Sequence, residues 1–272
     1  MEGDQDGFIT DPNLYQNIIT QQRSYYATPA VRVTSNIYPY NQIKITGINS
    51  IEEGGVGRDW QPLDASIPIS GHTVKTKTTV IRNDEPEFIH WVVSTTGIQL
   101  AAPQNYDDNR LIKQEFKDPQ WTSGKAGTSI IYTDQRGHVR LKRNYIDETN
   151  YQETSYLYNI AGQLLYVIPP TTPHQTIHEG DGIFEKYLYV YRYDEFGRLI
   201  ASKQLQKDWS YFVYDKLDRL VVLQDALQLE KGKWFYIKYD KLGREVITGV
   251  FISALTRSQL QEQLDSEIYF YE

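Results

Sequence analysis

Cysteine is absent and Met1 is the only methionine, so neither disulfides nor thiolate-bound metals hold this chain together. Its stability has to come from packing and hydrogen bonds. Positive charge is also in short supply: 28 Lys and Arg stand against 35 Asp and Glu, a net charge of −7. That balance argues against nucleic acid, whose phosphates call for a basic stripe. No apolar run reaches the roughly eighteen residues that a membrane-spanning helix needs. The opening residues, Met1-Glu2-Gly3-Asp4-Gln5-Asp6-Gly7, are acidic and contain no apolar signal core. What the chain has in excess is tyrosine, 22 in 272 residues. On strands that residue packs its ring against neighbours and keeps its hydroxyl free for a polar partner.

Many of these tyrosines belong to a recurring phrase. Three copies are clear: Tyr193-Asp194-Glu195-Phe196-Gly197-Arg198-Leu199, Tyr214-Asp215-Lys216-Leu217-Asp218-Arg219-Leu220 and Tyr239-Asp240-Lys241-Leu242-Gly243-Arg244-Glu245. Two looser ones come first, Tyr132-Thr133-Asp134-Gln135-Arg136-Gly137-His138-Val139 and Tyr158-Asn159-Ile160-Ala161-Gly162-Gln163-Leu164. The successive intervals along Asp134, Asn159, Asp194, Asp215 and Asp240 are 25, 35, 21 and 25 residues. Periods of this size indicate stacked supersecondary units.

An Asp followed three residues later by Gly suits a type I turn closed by a left-handed residue, which is the tip of a bulged β-hairpin. The predicted turn positions are therefore Asp134, Gly137, Asn159, Gly162, Asp194, Gly197, Asp215, Asp218, Asp240 and Gly243. Asp218 stands where the other copies have Gly, and Asp tolerates a left-handed backbone better than most residues. Before the third tip, Tyr187, Tyr189, Tyr191 and Tyr193 alternate along a predicted strand and form one face. After the three clear tips, Arg198-Leu199-Ile200-Ala201, Arg219-Leu220-Val221-Val222-Leu223 and Arg244-Glu245-Val246-Ile247 read as return strands. A lone hairpin is marginal in water, so each is expected to pair with the next.

The phrase resembles the YD repeat of the RHS family. The runs from Tyr156 to Pro170 and from Val213 to Ala226 are similar to the front of RHS-like proteins from lineages with type IX secretion. In those proteins a β-rich domain of unknown function precedes the repeats. Gly54-Gly55-Val56-Gly57-Arg58-Asp59-Trp60-Gln61-Pro62 and Val139-Arg140-Leu141-Lys142-Arg143 resemble the start and end of that domain. The resemblance covers about residues 45 to 255. It implies an all-β fold in which YD-repeat hairpins form a curved, spiralling antiparallel sheet, part of an RHS-type shell. A full shell of this kind encloses or displays a polypeptide, commonly a toxin, outside the cell or at its surface. Longer members continue with further repeats, a self-cleaving aspartyl signature and a variable toxic domain. None of those features occurs in this sequence, so no toxin activity is assigned to it.

On this reading residues 1–35 form a weakly ordered N-terminal segment, 36–125 a β-domain and 126–272 the YD-repeat region. Strands are expected at Gln42-Ile43-Lys44-Ile45-Thr46, over 73–81 and at Phe88-Ile89-His90-Trp91-Val92-Val93. One short C-terminal helix is expected, capped by Thr256, with Leu260 and Leu264 one turn apart. The Pro-rich stretch from Pro169 to Pro173 opens the insertion that lengthens one interval to 35 residues. The terminal Tyr269-Phe270-Tyr271-Glu272 reads as the start of a strand. This suggests an open sheet edge that takes downstream repeats or another protein chain, with self-association as one consequence.

Chemistry-bearing patterns are sparse. His174, His178 and Glu179 have a spacing that could bind zinc on a helix, but Pro173 and Gly180 place them in a loop. Gly54-Gly55-Val56-Gly57 lacks the Lys-Ser/Thr of a phosphate loop and reads as a turn before Trp60. Asp107-Asp108 before Asn109 is a candidate for weak calcium binding, but a solvated acidic loop is the favoured reading given how many oxygen ligands calcium requires. The repeated aspartates are explained as turn formers. No cofactor, metal or catalytic group follows from these residues, and the expected role is that of a non-enzymatic module. The alternative is an adhesin-like surface module in which exposed aromatic rings stack on glycans, against a tyrosine ladder that serves packing.

Overall fold

The computed structural model describes residues 43–47, 49–55, 60, 62, 71–81, 90–101 and 111–266. Strand β1 spans Ile43–Gly47, followed by β2 (Ser50–Glu53), β3 (Val74–Ile81), β4 (His90–Ser94), β5 (Gly97–Ala101) and β6 (Leu111–Lys117). Hairpins then take over, the first formed by β7 (Thr128–Thr133) and β8 (Val139–Tyr145), the second by β9 (Tyr151–Tyr158) and β10 (Leu164–Ile168). The short β11 (Ile177–His178) and helix α1 (Gly182–Tyr187) interrupt the series. It resumes with β12 (Tyr189–Tyr193), β13 (Leu199–Lys203), β14 (Trp209–Tyr214) and β15 (Leu220–Gln224). Helix α2 (Ala226–Glu230) precedes the last hairpin, β16 (Lys233–Tyr239) and β17 (Glu245–Ile252), and helix α3 (Arg257–Ser266) follows it.

Fourteen strands form one sheet in the order β1-β2-β3-β6-β7-β8-β9-β10-β12-β13-β14-β15-β16-β17, and β11-β5-β4 form a second. The chain is all-β with a C-terminal helix, as its hairpin punctuation requires. Because nearly every strand in the large sheet lies beside its neighbour in sequence, each new hairpin extends the sheet by one edge. Two compact units alternate along the chain: one comprises 1–81, 111–132 and 143–152, the other 82–110, 133–142 and 153–272. Within the first unit β3 pairs with β6 from Lys75 opposite Lys117 to Ile81 opposite Leu111.

Among its described residues the second unit has two apolar cores. In one, the insertion between β10 and β12 folds back as β11 and α1. Ile177, Phe184 and Leu188 pack with Trp91, Ile98, Leu157, Tyr166, Ile168 and Val190. The insertion that the Pro-rich stretch opens thus becomes the lid of a core. Burial of such side chains is worth about 1.5–3 kcal/mol each, more than enough to hold a short helix that has too few turns to be stable alone. In the other core Val213, Val222 and Trp234 pack with Leu260 of α3.

Three expectations are corrected or extended. Tyr187 ends α1 and so does not share a strand face with Tyr189, Tyr191 and Tyr193. Helices α1 and α2 add to the single expected helix. The second has a legible signal, since Asp225 accepts from the Gln228 amide while the Gln228 side chain returns to the Asp225 amide, a capping box. Helix α3 begins with the same reciprocal arrangement between Thr256 and Gln259. Residues 1–35, Asp107-Asp108-Asn109 and Tyr269-Phe270-Tyr271 lie outside the described residues.

Candidate functional site: the joint between hairpins

Each repeat tip is built by one side chain. The amide of the first tip residue donates to the carbonyl four residues on, from Asp134 to His138, Asn159 to Gln163, Asp194 to Arg198, Asp215 to Arg219 and Asp240 to Arg244, at 2.9–3.1 Å. The amide three residues on donates back to the first residue's carbonyl. In the four copies that begin with Asp, the carboxylate Oδ1 accepts from the amides two and four residues ahead, for example Phe196 at 3.0 Å and Arg198 at 2.9 Å. The fourth tip residue has positive φ: Gly137 (88°), Gly162 (83°), Gly197 (83°), Asp218 (60°) and Gly243 (76°). Glycine takes this left-handed geometry without a Cβ penalty, and Asp218 takes it as one of only three described non-glycine residues.

The residue after that position reaches in two directions. Backward, Arg198, Arg219 and Arg244 each donate Nε to their own Asp Oδ2 at 2.7 Å. His138 Nδ1 lies 3.2 Å from Asp134 Oδ2. Forward, the same side chain lies on the tyrosine of the next copy. Arg198 is 5.1 Å from the Tyr214 ring centre, Arg219 is 4.7 Å from that of Tyr239, and His138 stacks on Tyr158 at 4.7 Å. Guanidinium over an aromatic face is attractive by about 0.5–2 kcal/mol depending on desolvation.

The tyrosine completes the joint. Tyr158, Tyr214 and Tyr239 donate their hydroxyls to the carbonyls of Val139, Leu199 and Leu220 at 3.1, 2.9 and 2.9 Å. Each acceptor is the residue directly after the stacking side chain of the preceding copy. Burial raises the hydroxyl pKa of all three, despite the neighbouring guanidinium. At Asp194 burial pushes the carboxyl upward, but the Arg198 side chain and the amides of Arg198 and Phe196 prevail and hold it below the usual carboxylate range.

Strand pairing repeats with the side chains. Ala201, seven residues after Asp194, faces Tyr211, four before Asp215; Val222, seven after Asp215, faces Tyr236, four before Asp240. Tyr166, seven after Asn159, faces Val190, four before Asp194, so the register survives the 35-residue interval. At that joint Gln163 replaces the arginine and donates to the Gly197 carbonyl at 3.0 Å. Among the described residues Tyr193 makes no tyrosine-to-carbonyl bond of the kind seen at the other joints. Helix α3 braces one further point: at the irregularity in β14, Gln261 accepts from the Tyr214 amide at 3.1 Å and donates to the Tyr214 carbonyl at 2.7 Å.

The remaining candidates fall elsewhere. His174 packs edge-on against Trp91, His178 Nδ1 is 3.3 Å from Thr96 Oγ1, and Glu179 pairs with Arg192 and Tyr166. The Gly55 amide donates to the Trp60 carbonyl at 2.8 Å, and Val56 and Gly57 lie outside the described residues. Among the described residues no three His, Cys, Asp or Glu side chains gather as a metal site, and no helix is long and apolar enough to cross a membrane. In the sequence the turn aspartates are legible as turn formers, whereas the tyrosine and arginine read only as strand residues. Their constant offsets from Asp, tyrosine one before and arginine four after, are the available signal for a joint.

The fold and this joint define an antiparallel hairpin-repeat protein. Comparison with protein families finds no match, and comparison with curated proteins finds none. Among solved structures the chain is similar to one in the Photorhabdus luminescens Tc holotoxin pore carrying a variant of TccC3, at 12% identity and a TM-score of 0.39, over 79% of this chain and 12% of that one. It is also similar to one in the crystal structure of TcdB2–TccC3, at 10% identity and a TM-score of 0.36, over 93% of this chain and 15% of the other. The chain therefore spans less than a sixth of the length of either.

Proposed function

We propose that this chain is a non-enzymatic structural module of the RHS type, a section of repeat wall whose task is to enclose or display a polypeptide such as a toxin. The observation that carries the reading is the joint itself. The side chains that recur are consumed in tying one hairpin to the next, with the tyrosine hydroxyl, the guanidinium and the carboxylate each satisfied inside the wall. Such a device makes a sheet that lengthens by repetition and keeps one register, which suits a barrier. On this reading the chain acts by steric exclusion, outside the cell or at its surface, and binds neither cofactor nor metal.

Limited proteolysis of the product of the natural reading frame tests it. A polypeptide held by the wall resists cleavage when the joints are intact and becomes sensitive when Arg198→Ala and Arg219→Ala loosen them. Equal digestion of associated polypeptide with intact and loosened joints would overturn the proposal, and selective retention on a glycan array would replace it with a surface-adhesion role.

A further inference from the structure

The last copy holds half of a joint. Arg244 is fixed to Asp240 as its counterparts are, with Nε 2.7 Å from Oδ2 and its amide 2.9 Å from Oδ1. Yet the Arg244 side chain is 72% exposed, against 16% for Arg198 and 17% for Arg219. The difference is the tyrosine that covers the other two. Strand β17 beside it is equally bare, with Val246, Ile247, Val250 and Ile252 all exposed. Among the described residues it pairs with β16 alone and so presents one row of open backbone groups.

We propose that the β17 edge with Arg244 is a docking site for one strand of the same repeat chemistry, antiparallel, with a tyrosine directly before an aspartate. Its ring lies on the Arg244 guanidinium, and its hydroxyl donates to the Glu245 carbonyl, the position equivalent to Leu199 and Leu220. This inference rests on the structural-module reading and adds to it the partner's side chains and register. Continuity with the three internal pairings sets that register: Ile247, seven residues after Asp240, faces the partner residue four before its aspartate, as Tyr166, Ala201 and Val222 face theirs. The mean attraction of a bare apolar edge does not distinguish partners, whereas a tyrosine at one fixed offset does. β1, the other end of the sheet, has the sequence Ile43-Lys44-Ile45-Thr46-Gly47 and offers no tyrosine, so a second copy does not satisfy the site through that edge.

Because the chain has no cysteine, the register can be trapped with a single engineered thiol pair. The protein carries Ile247→Cys at an exposed position. The probe is a synthetic peptide covering the β14–β15 hairpin, Trp209 to Gln224, with cysteine in place of Tyr211, four residues before Asp215. With oxidised glutathione as the oxidant, disulfide formation is expected to be about tenfold faster than with cysteine in place of Trp209, and that preference is expected to vanish with Tyr214→Ala in the peptide or Arg244→Ala in the protein. Equal trapping at both peptide positions, or trapping indifferent to Tyr214→Ala, overturns the site. So does preferential formation of protein–protein disulfides through Cys at 247 in the presence of peptide, which would give the edge to a second copy. If trapping fails while Arg198→Ala still destabilises the chain, the docking site is wrong and the structural module stands; if Arg198→Ala leaves melting unchanged, the module reading fails first.

Discussion

Two joints in this molecule hold the same register by different means. Between the third and fourth tips Arg198 bonds Asp194, stacks on Tyr214 and donates to Asp218 at 2.9 Å, while Tyr214 bonds the Leu199 carbonyl. Between the second and third tips Gln163 makes a single reach to Gly197, and the chain inserts β11 and α1 instead. There the register is secured by apolar burial, since Tyr166 and Val190, directly opposed, are 2% and 0% exposed within the core that Phe184 closes. The lesson is that backbone pairing sets the repeat, and that its lock can be a polar side-chain relay or a local hydrophobic core.

The largest effect should come from breaking the apolar lock. Phe184 is 1% exposed and meets Tyr166 edge to face. Phe184→Ala is expected to destabilise by about 3–5 kcal/mol, through lost burial and the cavity left behind. Chemical denaturation measures it. A loss below about 1 kcal/mol would mean that the insertion is an ornament on a joint secured otherwise.

The polar lock is next. Arg198→Ala removes a charge-assisted bond, an aromatic stack and a contact to the following tip, and leaves the Asp194 carboxylate, with its side chain only 14% exposed, without its cation. A loss of about 2–3 kcal/mol is expected, against about 1 kcal/mol or less for Gln163→Ala. A double-mutant cycle of Arg198→Ala with Tyr214→Phe should show coupling, because the stacking arginine sets where the tyrosine ring lies. Additive losses would mean that the relay is two independent contacts.

How far this was readable beforehand varies by element. The tips could be derived outright, because Asp, the left-handed residue and their spacing are local chemistry. The hairpin order followed from the repeat. Helix α1 could not be recovered in the same way: Gly182-Ile183-Phe184-Glu185-Lys186-Tyr187 is too short for a helical period, and tertiary contacts, above all that of Phe184 with Tyr166 and Trp91's cluster, fix it. The joint was half legible. Tyrosine and arginine recur at constant offsets, but that the arginine of one copy lies on the tyrosine of the next depends on which strands become neighbours, which no single copy states.

The tips differ in what an added side chain meets. A Cβ on Gly197 would come within 3.0 Å of Gln163 Nε2, whereas at Gly243 nothing lies within 4 Å. Gly197→Val should therefore cost about 1–3 kcal/mol, from backbone strain and displacement of the Gln163 side chain that links the second tip to the third. Gly243→Val should cost about 1 kcal/mol, from strain alone. Equal melting shifts for the two would remove Gln163 from the joint. The same carboxylates predict acid sensitivity. Because the folded-state pKa of Asp194 is depressed, its contribution is complete above its unfolded value near 4 and is lost as pH falls below that. Asp194→Asn should flatten the fall in stability below about pH 4, measured against pH 7.

The smallest effect is the most discriminating, since two terms oppose each other at Asp218. Its φ of 60° places a Cβ where glycine would avoid strain, so Asp218→Gly relieves about 0.5–1 kcal/mol. The same substitution removes the acceptor for Arg198, but that pair is weak because the Asp218 side chain is 72% exposed, worth about 0.5 kcal/mol. The net change should lie within about 0.5 kcal/mol of zero, and salt should decide its sign. At low ionic strength the lost pair counts more and the variant is slightly less stable; at about 1 M salt, screening leaves the strain relief and the variant is slightly more stable. A loss above about 1 kcal/mol that persists in high salt would show that Asp218 orders the Arg198 side chain on Tyr214, making the fourth tip an active part of the polar lock.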